Sequence, residues 1–162
     1  MNSKKTALPF RLLLKVPVPW VYVLAYLFGL GFHLFYPLHF VSPEKTTPVF
    51  AAGVMLFGVG AIVASWSLLI FKRAKTTTTP GESSKQLILK GPYRFSRNPM
   101  YVSLLLAYLG EAAFLNQIWP VIVLPLLLAY IDRIVIPLEE GVLANDFGKQ
   151  YTDYCKTVGR WI

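Results

Sequence analysis

VFAAGVMLFGVGAIVASWSLLIF, residues 49–71, contains no charged side chain and no proline, and its reading decides the class of fold. A helix needs about 20 apolar residues to cross the hydrocarbon core of a bilayer, and this run is long enough. Three further runs share its character: about Trp20 to Phe40, about Pro99 to Ile118, and Trp119 to about Leu138. The chain has 162 residues, 55% of them hydrophobic and 15% charged, with a mean hydropathy of +0.51. These numbers predict one membrane domain over residues 1–162. The expected fold is an all-α integral membrane protein with about four transmembrane helices (20–40, 49–71, 99–118, 119–138). A cytoplasmic loop (72–98) and a cytoplasmic tail (139–162) forming an amphipathic helix complete it.

The formal net charge of +8 is explained by where the basic residues fall. Lys4, Lys5, Arg11 and Lys15 precede the first run, and the 72–98 loop holds seven basic residues and one acid. The connection at 41–48 has only Lys45, and the turn around Asn116 and Gln117 has none. That asymmetry follows membrane orientation rather than nucleic-acid binding, and it predicts both termini and the long loop on the cytoplasmic side. The expected setting is the inner membrane of a prokaryote. The first run is too long for a signal peptide and lacks a small-residue cleavage site, so it is expected to stay as an anchor. One cysteine, Cys155, excludes an internal disulfide and any multi-cysteine metal site. Gly53, Gly58, Gly60, Ala61, Ala64 and Ser65 in the second run are of the size that lets membrane helices approach closely. The residues set no oligomeric state.

Two polar constellations flank the last pair of runs. The first is GPYRFSRNPMY, residues 91–101. Pro99 suits the first helical position and disfavours helix at Asn98, which makes Asn98 the expected N-cap. Arg94 and Arg97 then stand just before a helix N-terminus, a place suited to a carboxylate or phosphate. Anchoring to lipid headgroups accounts for the same two arginines on chemistry alone.

The second constellation, RIVIPLEEGVLANDFGKQYTDYCKTVGRWI, covers residues 133–162. Adjacent helical residues point about 100° apart, so Glu139 and Glu140 can bracket an extended ligand but not face one spot. Glu140 shares a stripe with Leu143, Phe147, Tyr151 and Tyr154, the face expected to fold back onto the membrane domain. A solvated helix end with an aromatic belt is the plainer reading. Arg133 is placed to answer either glutamate across one or two turns, while Asp132 could pair with it or face another helix. Glu111 lies deeper in the third run, as a structural or a substrate contact. His33 and His39 lie in or near the first run, on the far side, and are expected to be satisfied structural residues.

Taken in order, Pro80, LILKGPYRFSRNPMY (87–101), an apolar hairpin, Glu139-Glu140, FGKQY (147–151), Tyr154, Arg160 and Trp161 resemble the isoprenylcysteine carboxyl methyltransferase and phospholipid methyltransferase superfamily. The resemblance covers roughly the C-terminal half, and the first two helices contribute little. It implies S-adenosylmethionine as methyl donor, held at the cytoplasmic helix ends by Tyr93, Arg94, Arg97, Asn98, Pro99, Tyr101, Glu139, Glu140, Phe147 and Tyr151. No glycine-rich dinucleotide fingerprint competes with that assignment. Arginines suit the donor's carboxylate, and glutamates suit its ammonium and diol. Arg133 and Asn98 are the catalytic candidates. Family members often have histidine at the place of Asn98, and asparagine cannot titrate near neutrality. Ser103 stands where glycine is common. No metal is implied. The implied acceptor is lipid-like or a small hydrophobic molecule: a prenylcysteine-type carboxylate, a phospholipid amine or a thiol. An NADPH-dependent reductase of the related sterol-reductase architecture and a non-catalytic membrane module are the alternatives.

Overall fold

The computed structural model describes residues 17–42, 46–74 and 86–162. Lys4, Lys5, Arg11, Lys15, Lys45 and Pro80 lie outside the described residues. Five helices follow in order: α1 (Val18–Phe35), α2 (Thr46–Ala74), α3 (Pro99–Phe114), α4 (Trp119–Phe147) and α5 (Lys149–Thr157). A short 3-10 turn, Gly91–Arg94, precedes α3. No strand occurs among the described residues. The protein is an all-helical membrane protein, and α1, α2 and α4 are long and apolar enough to cross a bilayer. The expected fourth crossing is the 16-residue α3, shorter than those three.

The boundaries differ from the sequence reading for local reasons. α1 ends at Phe35, before Pro37 and well short of Phe40. The third run stops at Phe114, because Asn116 takes a left-handed conformation (φ 56°) and turns the chain. The fourth helix does not end at Leu138 but continues to Phe147, so both glutamates lie inside it. At 29 residues each, α2 and α4 are about 43 Å long at helical rise and outreach a hydrocarbon core of about 30 Å.

Packing begins with α2 and α3. The buried residues of α2 are Gly53, Gly60 and Ser67, seven apart, and on antiparallel α3 Gly53 meets Gly110 while Gly60 meets Ser103. A repeat of seven is the seam of a left-handed helix pair, and small side chains bring the two backbones together. A Cβ on Gly60 would stand 2.7 Å from the Ser103 carbonyl oxygen, and one on Gly110 would stand 2.6 Å from the Phe57 nitrogen. Gly58, by contrast, opens onto no neighbouring atom within 4 Å. The packing role expected for these small residues therefore belongs to Gly53 and Gly60, not to all of them.

α1 lies against α4, with Gly29 over the Trp119–Pro120 backbone. Its buried stripe of Val18, Tyr22, Tyr26 and Gly29 follows helical spacing. The Tyr22 and Tyr26 rings meet Tyr108 edge-on at 6.2 and 5.2 Å. Each hydroxyl finds an acceptor: Tyr22 donates to the Tyr101 carbonyl (3.3 Å), Tyr26 to Gln117 Oε1 (3.0 Å) and Tyr108 to the Pro120 carbonyl (2.8 Å). Without water, unpaired hydroxyls would be costly. At this far end Asn116 clasps the 40–41 backbone, accepting from both nitrogens and donating to the Val41 carbonyl at 2.9 Å. His33 and His39 contact each other edge-on at 5.1 Å, but His33 Nδ1 is buried without a partner, unlike the satisfied histidine expected.

The seam makes a direct prediction. Gly110→Val should lower detergent thermal stability by on the order of 1–3 kcal/mol, because two backbones must separate. Gly58→Ala should leave stability unchanged or raise it by up to about 1 kcal/mol, as alanine is the better helix former. Equal effects of the two substitutions in a melting experiment would contradict the seam.

Candidate functional site

The site forms where four segments meet: the collar 91–98, the start of α3, the lower part of α4 and the arm that follows α5. The collar is fixed from beneath. Gly91 has φ +62° and sits against Trp66 and Ile70 of α2, where a side chain has neither a relaxed backbone nor space. Tyr93 is buried against Phe71 at 5.5 Å. From the arm side, Tyr154 donates its hydroxyl to the Tyr93 carbonyl at 2.6 Å. Burial pushes the Tyr154 hydroxyl up to about 12 and raises those of Tyr93 and Tyr151, so all three remain protonated donors.

The two collar arginines part company. Arg94 is exposed, on an open groove shared with Gln150 and Asp153. Arg97 turns inward: its Nη1 lies 3.0 Å from Glu140 Oε1 and donates to Cys155 Sγ at 2.7 Å. Its Nε is buried with no partner among the described residues. The two do not form one receptor, and only Arg97 reaches the acids. Asn98 does occupy the position before α3, but its side chain makes no cap. Instead Asn98 Nδ2 donates to the Arg160 carbonyl at 2.9 Å, and Ser96 Oγ accepts from the Asn98 nitrogen at 3.0 Å. Pro99 is buried at the first helical position, as its fixed φ favours.

The two glutamates diverge as adjacent helical residues must. Glu139 accepts from the Tyr101 hydroxyl at 2.6 Å. Glu140 accepts from Arg160 twice, Nε to Oε1 at 3.2 Å and Nη2 to Oε2 at 2.7 Å, besides its contact with Arg97. Arg160 Nη1 also reaches Asp132 Oδ1 at 3.2 Å, and the Trp161 indole donates to the same oxygen at 3.0 Å. The hydrogen bonds to Glu140 hold Arg160 above the usual guanidinium range, so its charge is permanent. Of the tail aromatics, Tyr151 and Tyr154 are buried and Phe147 half-buried. They do not continue the Glu140 stripe as one helix, because Gly148 (φ +50°) breaks the chain between α4 and α5.

Arg133 is exposed and answers neither glutamate. The reason is the π-helical turn Ile131–Val135, which accommodates one extra residue. In an unbroken α-helix residues seven apart share a face, since seven steps of about 100° nearly complete two turns. The wide turn moves that relation to residues eight apart, so Asp132, not Arg133, aligns with Glu140. The partner for both acids comes instead from Arg160. The sequence reading quoted Arg160 and Trp161 but gave them no role. A countable signal existed: Asp132, Glu139 and Glu140 needed a second cation beside Arg97 near an apolar layer. Among the described residues no group of three His, Cys, Asp or Glu is placed to hold a metal.

A helical membrane protein with a sheltered guanidinium–carboxylate centre at one end of its bundle is the class this geometry defines. The family model for phospholipid methyltransferase matches residues 48–150, and the chain belongs to that family. The match begins at the start of α2, so the second helix shares in it more than the motifs alone implied. Two relatives, named as probable protein-S-isoprenylcysteine O-methyltransferases from Oryza sativa subsp. indica and subsp. japonica, are each 27% identical over 139 residues. Each alignment covers 85% of this chain and 73% of the relative. These are plant proteins and lend no support to a prokaryotic inner membrane as the setting. No solved structure matches the chain.

The tie between arm and collar can be measured. Tyr154→Phe leaves the buried Tyr93 carbonyl without its donor and should cost about 1–3 kcal/mol of stability. An unchanged melting temperature would mean that the arm is not held by this bond.

Proposed function

We propose that the protein transfers a methyl group from S-adenosylmethionine to a lipid-like or small hydrophobic acceptor at the cytoplasmic face of its membrane. The observation that carries this reading is Arg97: a half-buried guanidinium, paired to Glu140, whose buried Nε has no partner among the described residues, in a methyltransferase family. A buried N–H without an acceptor is rare and costly, and a ligand carboxylate would satisfy it. The residues present therefore fit the donor. Arg97 would hold its carboxylate. Glu139, with one oxygen taken by Tyr101, keeps acceptor capacity for an ammonium or a ribose hydroxyl. When bound, S-adenosylmethionine supplies a methyl group already activated by its sulfonium.

The chain's own work is then positioning and exclusion of water. Tyr101 and Tyr93 wall the site with buried rings. Asn98 cannot take a proton near neutrality, so its part is the hydrogen bond that ties collar to arm. Arg133, exposed at the π-helical turn and held by no salt bridge among the described residues, is placed to meet an anionic acceptor. The relatives are named as O-methyltransferases of a protein S-isoprenylcysteine, and a carboxylate acceptor would carry that charge. Arg94, lying outside the cluster, carries no donor contact in this reading.

Binding measurements test it. A ligand that binds only the folded state adds about 2.7 kcal/mol at a hundred times its Kd. Melting in detergent should rise with S-adenosylmethionine or S-adenosylhomocysteine and not with NADPH. Arg97→Ala, Glu139→Gln and Glu140→Gln should each weaken S-adenosylhomocysteine more than about tenfold. Arg94→Ala and Lys72→Ala should bind like the native chain, because exposed charges are screened. A rise with NADPH alone would replace the reading with a reductase.

Orientation has its own test. In a Cys155→Ser background, Lys149→Cys places a thiol at an exposed position of α5. A membrane-impermeant maleimide should label it in permeabilised cells and not in sealed ones. Labelling of sealed cells would put the site on the opposite face.

A further inference from the structure

Glu140 is gripped from two sides, and the stronger grip comes from beyond the family match, which ends at residue 150. Arg160, on the arm after α5, meets both Glu140 oxygens through Nε and Nη2. That two-bond fork is the preferred arrangement of a guanidinium and a carboxylate. Its third nitrogen reaches Asp132, and its carbonyl accepts from Asn98 Nδ2 and from Ser96 Oγ at 3.4 Å. One residue thus touches the collar, the acid within the π-helical turn and the acid beyond it. Arg97 is left with a single nitrogen, Nη1, on Glu140.

We propose that Arg160 is a positioning residue of the donor site: by taking the two-bond arrangement with Glu140, it keeps Arg97 from closing onto that carboxylate and leaves Arg97 Nε open to the donor's carboxylate. The inference rests on the donor-site reading above. Its physical basis is competition for one acceptor. A carboxylate offers about four lone-pair positions; Arg160 fills two on Glu140, and Arg97 Nη1 stands beside Oε1 as an ion pair. With Arg160 removed, Glu140 is free to turn and accept both Nε and a terminal nitrogen of Arg97. The anion receptor then closes on a residue of its own chain. Asp132 and the Trp161 indole hold the arm so that the fork is already in place before a ligand arrives.

The test compares two probes on the full chain in detergent by calorimetry. S-adenosylhomocysteine carries the amino-acid carboxylate, and 5′-methylthioadenosine lacks it. Arg160→Ala should weaken S-adenosylhomocysteine at least about tenfold, as loss of a sheltered charge partner does, and change 5′-methylthioadenosine by less than about twofold. In a Glu140→Gln background Arg160→Ala should add less than about twofold, since its route of action is gone. Arg160→Lys keeps the charge without the fork and should fall between, about threefold weaker for S-adenosylhomocysteine. It carries the same comparison where Arg160→Ala does not fold. Equal loss for both probes, no loss for either, or a gain for S-adenosylhomocysteine would overturn the proposal. If S-adenosylhomocysteine binding needs Arg97 and Glu139 but not Arg160, only this proposal falls. If it needs none of the three, the donor-site reading falls with it.

Discussion

Asp132 and Glu140 meet Arg97 and Arg160 on the lower part of α4, and neither set of charges is stable there alone. Charges next to an apolar layer are tolerated when paired, and removing one partner leaves the other costly. This pairing fixes the rest of the lower half. Arg160 can reach the acids only if the arm folds back, and the arm folds back because α5 breaks away at Gly148. The collar is then closed by backbone bonds, with the Arg97 nitrogen donating to the Gly159 carbonyl at 2.9 Å. Ionic pairing, chain reversal and collar shape are one solution to one constraint.

The upper half serves the same end by different means. Nothing hydrophobic drives helices together inside lipid, so contact depends on close packing and internal hydrogen bonds. The seven-residue spacing of small side chains on α2 and α3 supplies the packing, and the tyrosines of α1 and α3 supply the bonds. Because Gly91 rests on Trp66 and Ile70, the α2–α3 seam carries through to the collar. Helix packing sets where Arg97 begins its reach toward Glu140.

The helices, the collar, the glutamate pair and the methyltransferase family were legible in the sequence because each rests on local chemistry. Apolar runs mark spans, Pro99 marks a helix start, and the two motifs carry the family. What escaped were relations between distant residues. Arg94 and Arg97 stand three apart in one loop, and only the tight Gly91–Arg94 turn shows that one faces water and the other the acids. Asn98 has the type and position of a cap, yet a carbonyl sixty-two residues away claims its amide. Arg160 was visible as a residue but not as a partner, because its contacts depend on the chain reversal after α5.

The π-helical turn shows why helical periodicity failed at the point that matters most. Read at 3.6 residues per turn, Arg133 and Glu140 share a face, and an ion pair along α4 is the natural expectation. One extra residue in the Ile131–Val135 turn rotates everything after it by about 100°. Arg133 is carried off the shared face, and Asp132 takes its place there. The consequence is chemical as well as geometric. An Arg133–Glu140 pair would have satisfied Glu140 within α4 and given the arm less reason to approach. The rotated helix instead presents two acids to one side, and only a cation from elsewhere can satisfy them. Arg133, released from that duty, stays exposed at the turn beside Asp132. A single wide turn therefore aligns Asp132 with Glu140, where Arg160 meets both, and leaves Arg133 exposed.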